Sequence, residues 1–196
     1  MSDTEKLIEL ILGKRGSGKS HLAQKILQQH RRYLVFDTLG EYSDGVVIQS
    51  LAELSTFWQK VYRGPFRIIY QPLDPELEFD KICSHVWLCE NMTFLVEEVD
   101  RYARPLAMSL PFKEIIQRGR HKDITFIGVT QRPHGIDKLL TSQAKAMYIF
   151  NTTEPRDIKY FQEVVGDSVI EKFAELKEYE FVKWQDGTDQ LEIGRA

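Results

Sequence analysis

Residues Gly13-Lys14-Arg15-Gly16-Ser17-Gly18-Lys19-Ser20 fit the spacing G-x-x-x-x-G-K-[ST] of a phosphate-binding loop. That pattern is informative only between a strand and a helix, and both flanks meet the condition. Leu7 to Leu12 is apolar enough for a buried strand, and Ser20 to about Arg31 spaces Leu22, Ala23, Ile26 and Leu27 on one helical face. Glycines let the backbone approach an anion closely, and the helix N-terminus supplies N–H groups and the positive end of a dipole. The candidate nucleotide-binding set is therefore Gly13, Arg15, Gly16, Ser17, Gly18, Lys19, Ser20 and His21. Lys19 is expected to reach the β- and γ-phosphates, and Ser20 to offer its hydroxyl to Mg²⁺.

A second constellation lies further along. Met92 to Val96 is an apolar strand that runs straight into Glu97-Glu98. Paired carboxylates at a strand tip repel each other, and a bound metal relieves that repulsion. Glu97 is the candidate metal ligand, and Glu98 the candidate base for an attacking water. Gln131 ends the strand from Ile124 to Thr130. An amide there can bond a γ-phosphate and a water at once. The bland alternatives are a solvated acidic strand end and a turn residue before Arg132-Pro133. Asp37 also ends a strand, either supporting the metal site from behind or capping its own loop.

Between these motifs, buried strands alternate with helices. Strands are expected at 33–36, 46–48, 66–70 and 146–150. Helices are expected at 51–62 behind a Ser50 cap, from Asp74 or Pro75 to 90, at 111–119, 136–145 and 155–165, and from an Asp167 cap to 177. A terminal hairpin is expected around Asp186-Gly187. This predicts one α/β domain over residues 1–196, with a mostly parallel sheet flanked by helices and ligands at the strand carboxyl ends.

Composition narrows the class. The chain has 196 residues, 42% of them hydrophobic, enough for a real core. Residues 1–6 lack the apolar region of a signal peptide, and no apolar run approaches eighteen residues, so no membrane span is expected. Cys83 and Cys89 are six apart in an expected helix and so on different faces, which predicts two reduced thiols. Together with His85 they have the wrong spacing for zinc. The net charge of −3 gives no sign of nucleic-acid binding but permits a locally basic surface, for which Lys60, Arg63, Arg67, Lys138 and Lys145 are candidates.

The P-loop GKRGSGKS, the strand MTFLVEEVDRY and the block QRGRHKDITFIGVTQRP, in that order, resemble the HerA/FtsK superfamily of P-loop ATPases. Within it the chain is most similar to genome-packaging ATPases of viruses with internal membranes and to Zot-like phage assembly ATPases. The likeness spans about Leu7 to Phe150, and Arg118 to Pro133 is its discriminating part. It implies a RecA-like (ASCE) core, ATP hydrolysis with Mg²⁺, a homo-oligomeric ring, usually a hexamer, and movement of double-stranded DNA through a central channel. It also implies a place in the host cytoplasm or on the virion, with portal or membrane-vertex proteins as partners. The family's acid pair is commonly Asp-Glu; here Glu97 stands first. Zot-like proteins usually carry a membrane span after the core, and its lack favours a soluble motor.

Two other functions fit parts of the sequence. A nucleotide-dependent assembly switch shares every motif. A small-molecule phosphotransferase shares the P-loop, but would need an Arg-rich lid and has no use for Glu98. No arginine in the P-loop region obviously serves the γ-phosphate in cis. Arg120, then Arg118 and more distantly Arg104, are candidates to act on a neighbouring subunit's nucleotide. The alternative is that Arg118 and Arg120 cap helix carbonyls or pair with Glu114.

Overall fold

Apolar runs of about five residues, bounded by Gly, Pro or charged residues, become strands because both faces of each run are covered. A computed structural model describes residues 8–188 and 190–196. In chain order the elements are β1 (Ile8–Leu12), α1 (Lys19–Leu27), β2 (Arg32–Phe36), β3 (Val46–Ile48), α2 (Leu51–Val61), β4 (Phe66–Tyr70), α3 (Pro75–Cys89) and β5 (Met92–Val96). They continue as α4 (Leu110–Arg118), β6 (Ile124–Thr130), α5 (Lys138–Ser142), β7 (Ala146–Phe150), α6 (Pro155–Val164), α7 (Ser168–Phe173), β8 (Glu180–Gln185) and β9 (Glu192–Arg195). The expected start of β1 at Leu7 lies outside the described residues.

The described strands form one nine-stranded sheet in the order β3-β4-β2-β5-β6-β1-β7-β8-β9. Neighbours from β3 to β7 pair in parallel, while β8 and β9 join antiparallel. The mostly parallel α/β sheet with a terminal hairpin is thus as expected. Alternate residues feed two cores. Leu10, Leu34, Phe36, Phe94 and Phe126 face α2, α3 and α4, with α5, α6 and α7 extending the same layer. Ile11, Tyr33, Val35, Leu95, Ile127 and Val129 face the other side, where α1 is the helix that covers them, with Tyr42 and Phe181.

Several expected boundaries shift, each for a local reason. α1 stops at Leu27 rather than Arg31, because His30 is drawn onto Thr93 of β5 (2.8 Å) and Arg32 donates to the carbonyls of Tyr62, Gly64 and Asn91. α5 is shorter than 136–145: the Asp137 N–H donates to the Ala103 carbonyl (2.6 Å) and its carboxylate caps Leu139 N–H, while Lys145 N–H is committed to Ile8 O. α7 ends at Phe173, not Lys177, whose N–H already donates to Glu180 at the start of β8. Asp167 stands before α7, but its carboxylate accepts from Gln162 instead of capping. Leu77 and Leu88 of α3 point outward, and Phe79 and Cys83 take the core positions. Ser50 caps α2 as expected, accepting from Glu53 N–H.

Candidate active site

The parallel strands all end on one side of the sheet, so the loops beginning at Gly13, Asp37, Glu97 and Gln131 meet there. Leu12 pairs with Thr130, which sets Gly13 beside Gln131, and Gly13 N–H donates to Thr130 O. Gly13 is packed against Phe150, where any Cβ would lie 2.6 Å from that side chain. Gly16 (φ +75°) and Gly18 (φ +102°) hold the left-handed turns that wrap the loop. Gly18 gives α1 no side-chain cap, so the first amides of the helix are left for an anion. Lys19 is buried, and its ammonium donates to Lys14 O across the loop (2.9 Å). Burial lowers its pKa, opposed by the carboxylates of Glu97 and Glu41. Ser17 Oγ is buried with no protein partner. An orphaned hydroxyl, an uncapped helix start and a buried ammonium around one loop fit a polyphosphate.

Glu97 is 3% exposed at the tip of β5 and accepts from Tyr42 OH (2.5 Å). Burial pushes its carboxyl up to about 7; the Tyr42 hydrogen bond and Lys19 act the other way, while Glu41 and Asp37 raise it. Glu98 occupies the left-handed region (φ 49°), rare for a non-glycine residue. It is held there by Thr38 Oγ1 (3.1 Å) and Arg101 (3.2 Å). Asp37 is a loop cap: its Oδ1 accepts from the N–H groups of Gly40 (2.8 Å) and Glu41 (3.1 Å), its Oδ2 from Tyr42 N–H. The loop so fixed brings Glu41 to Ser20, whose hydroxyl donates to the Glu41 carboxylate. A hydroxyl has one proton and two lone pairs, so this bond leaves the Ser20 lone pairs for a cation. Ser20, Glu97 and Glu41 make a hard oxygen donor set suited to Mg²⁺.

β6 lies between β5 and β1 in the sheet, which sets Gln131 between the acids and the P-loop. Thr130 steadies that tip: its hydroxyl donates to Asp100 (2.5 Å) and accepts from Arg132 N–H (2.9 Å). One cleft of about 680 Å³ is lined by Arg15, Gly16, Gly18, Lys19, Ser20 and His21 together with Glu41, Glu97, Glu98, Gln131 and Tyr179.

Of the candidate nucleotide set, only Gly13 and Ser17 sit behind the cleft wall rather than on it. Glu41, Tyr42, Thr130, Asp100 and Tyr179 were not legible, since nothing local in sequence links them to the P-loop. A Glu at a strand-proximal Gly-Glu-Tyr turn was the one available hint. Arg118 and Arg120 lie elsewhere. The turn from Gly119 to Lys122 sits at the amino ends of β5 and β6, the opposite end of the sheet from the cleft. β6 alone separates them by roughly 20 Å at about 3.3 Å per residue. Arg118 pairs with Glu114 (3.3 Å), and Arg120 is exposed. Of the suggested basic residues, Arg67 pairs with Asp44 and Lys145 with Asp186. Cys83 is buried in α3, and Cys89 Sγ accepts from Arg32.

No protein-family model matches the sequence, and no curated protein matches it either. Among solved structures the chain is similar to the genome packaging NTPase B204 from Sulfolobus turreted icosahedral virus 2 in complex with AMPPCP. The identity is 21% and the TM-score 0.82, over 97% of this chain and 98% of that one. It is similar to VirB4 of Thermoanaerobacter pseudethanolicus at 12% identity and TM-score 0.66, over 95% and 88% of the two chains. The N-terminal domain of zonular occludens toxin from Neisseria meningitidis matches at 14% identity and TM-score 0.55, over 98% and 94%. These likenesses bear out the fold expected from the sequence, a mostly parallel α/β sheet flanked by helices. Among the described residues no helix is long and apolar enough to cross a membrane.

Proposed function

We propose that this chain is a Mg²⁺-dependent ATPase that moves double-stranded DNA, and that its task is viral genome packaging. The observation that carries the reading is the meeting of Lys19, Ser20, Glu97, Glu98 and Gln131 in one cleft of this fold. The full-length likeness to a genome packaging NTPase crystallised with an ATP analogue supports the choice of substrate and task. The single domain over 1–196, the homo-oligomeric, hexameric ring expected from the resemblance and a host-cytoplasmic setting belong to the same reading.

Lys19 neutralises charge on the β- and γ-phosphates, while the amides of Gly16 to Ser20 cradle them. Ser20 and Glu97 would hold Mg²⁺, with the Ser20 hydroxyl donating its hydrogen bond to Glu41 so that its lone pairs face the ion; the bound ion would neutralise charge along the phosphates. Glu98, fixed by Thr38 and Arg101, takes a proton from water in line with the γ-phosphorus. Gln131 orients that water and reads the γ-phosphate. An arginine from a second copy, Arg120 or Arg118, completes the site.

The test is phosphate release from Mg²⁺·ATP with no acceptor present, with and without duplex DNA. Lys19→Ala should abolish turnover and weaken nucleotide binding. Glu98→Gln should keep nucleotide bound and slow hydrolysis by about 10²–10⁴-fold. Normal turnover in folded Lys19→Ala protein would sink the assignment.

A further inference from the structure

Beside the nucleotide cleft lies a second one, of about 540 Å³, that shares Arg15 and Gln131 with it. Its walls carry Lys14, Arg15, Arg132 and Arg156. All four are exposed, and none of their side chains makes an ion pair or hydrogen bond among the described residues. The acids on the same walls are Glu154 and Asp157. Asp157 is 5% exposed and already engaged by His134 Nδ1 (2.7 Å) and Thr152 Oγ1 (3.4 Å). That leaves four free cations facing one free carboxylate, on a chain whose net charge is −3. The His134–Asp157–Thr152 bonds also join the turn after β6 to the segment after β7, so the walls are tied together.

We propose that this cleft seats the phosphate backbone of double-stranded DNA, an inference that rests on the reading of the chain as a DNA-moving ATPase. Three of the four cations are arginines, whose planar fork matches a phosphate bidentately and is less strongly hydrated than an ammonium. The residues on the cleft's own walls are all polar or charged, which suits a phosphate backbone better than the apolar side chains of a peptide. Its position gives the contact a use. Gln131 faces the nucleotide and Arg132, the next residue, faces the backbone, both hung from the tip of β6. A change at the γ-phosphate that moves this tip therefore moves a DNA contact with it.

The experiment measures binding of a short fluorescent duplex to the full chain with a non-hydrolysable ATP analogue, across a range of KCl. The variant is Arg132→Ala/Arg156→Ala, which leaves the P-loop intact; nucleotide affinity and assembled mass are measured alongside. The control is Lys60→Ala/Arg63→Ala, at the far end of α2. Each backbone contact contributes about 0.9 to the slope of log K against log [salt]. The cleft variant should therefore lower that slope by about 2 and weaken binding roughly 30-fold at ~0.15 M salt, equally for all duplex sequences. The control should match the parent, and neither millimolar inorganic phosphate nor a glutamate-rich peptide of equal charge should displace the duplex. If the parent binds no duplex at all, the DNA-motor reading itself fails. If the parent binds and the cleft variant matches it in affinity and slope, that reading stands and the cleft assignment is wrong. Loss of assembled mass with unchanged DNA affinity, or displacement by the peptide, overturns the assignment in favour of a protein interface.

Discussion

Glu97 is a carboxylate in a place that disfavours its charge, and this has a measurable consequence. Its ordinary pKa of 4.5 rises to about 7 in the folded chain, chiefly through burial. Between those values the native state binds a proton that the unfolded chain has released. The Glu97 contribution to stability is thus complete below pH 4.5 and is lost as pH rises through about 7, amounting to roughly 3 kcal/mol by linkage. Glu9, raised by burial in the same direction, adds to the slope. With divalent metal removed by chelation, urea unfolding at pH 5 and pH 8 should show Glu97→Gln gaining stability on the parent by up to ~3 kcal/mol at the higher pH. An unchanged difference across that window would remove burial as the dominant influence on Glu97. At this scale the sequence showed the P-loop and acid pair, because their chemistry is written in adjacent residues. It did not show Glu41 beside Ser20, or Asp100 beside Thr130, because those meetings depend on which loops the sheet order brings together.

The decisive element is β6. Its insertion between β1 and β5 makes Gln131 central, and Gly128 makes the insertion possible. Gly128 pairs with Leu10 on one side and Val96 on the other, while Val99, in the turn after Glu98, packs over it. A Cβ there would lie 3.1 Å from Leu10 and Phe126 side-chain carbons and 3.2 Å from Val99 Cγ1. Gly128→Ala should destabilise the fold by about 1–3 kcal/mol through overpacking. Because one of the three crowded side chains, Val99, belongs to the turn carrying Glu98, hydrolysis should slow more than nucleotide affinity falls. Equal losses in binding and turnover, measured by titration and steady-state kinetics, would detach β6 packing from the placement of Glu98. Strands were legible because a doubly covered strand must be apolar throughout. Helix ends were less so: α1 and α5 are cut short by bonds from His30, Arg32 and Asp137 to remote partners, which no periodicity reveals.

At the scale of the molecule, the positions of the candidate arginines divide the site between copies. Arg120 and Arg118 sit at the amino ends of the strands, and the nucleotide cleft at the carboxyl ends. No side-chain rotation spans that separation, so an arginine of this pair can serve a γ-phosphate only on another copy. A head-to-tail interface, the kind that closes into rings, brings opposite faces of successive subunits together. The Arg118–Glu114 pair does not argue against such a role: its partners are 64% and 48% exposed, and exposed ion pairs contribute little. Arg120→Ala should leave ATP affinity intact and lower turnover by about 10³–10⁵-fold, the range found for arginines supplied in trans. Lys19→Ala should be inactive for a separate reason. Mixed in equal amounts and allowed to co-assemble, the two variants form interfaces of four kinds, one of which joins an intact P-loop to an intact arginine. Turnover should then recover towards about a quarter of the parent rate, since a head-to-tail interface takes each half of its site from a different copy. Co-assembly verified by mass with no recovery would show that the missing charge comes from elsewhere, and recovery with Arg118→Ala in place of Arg120→Ala would move the role to Arg118.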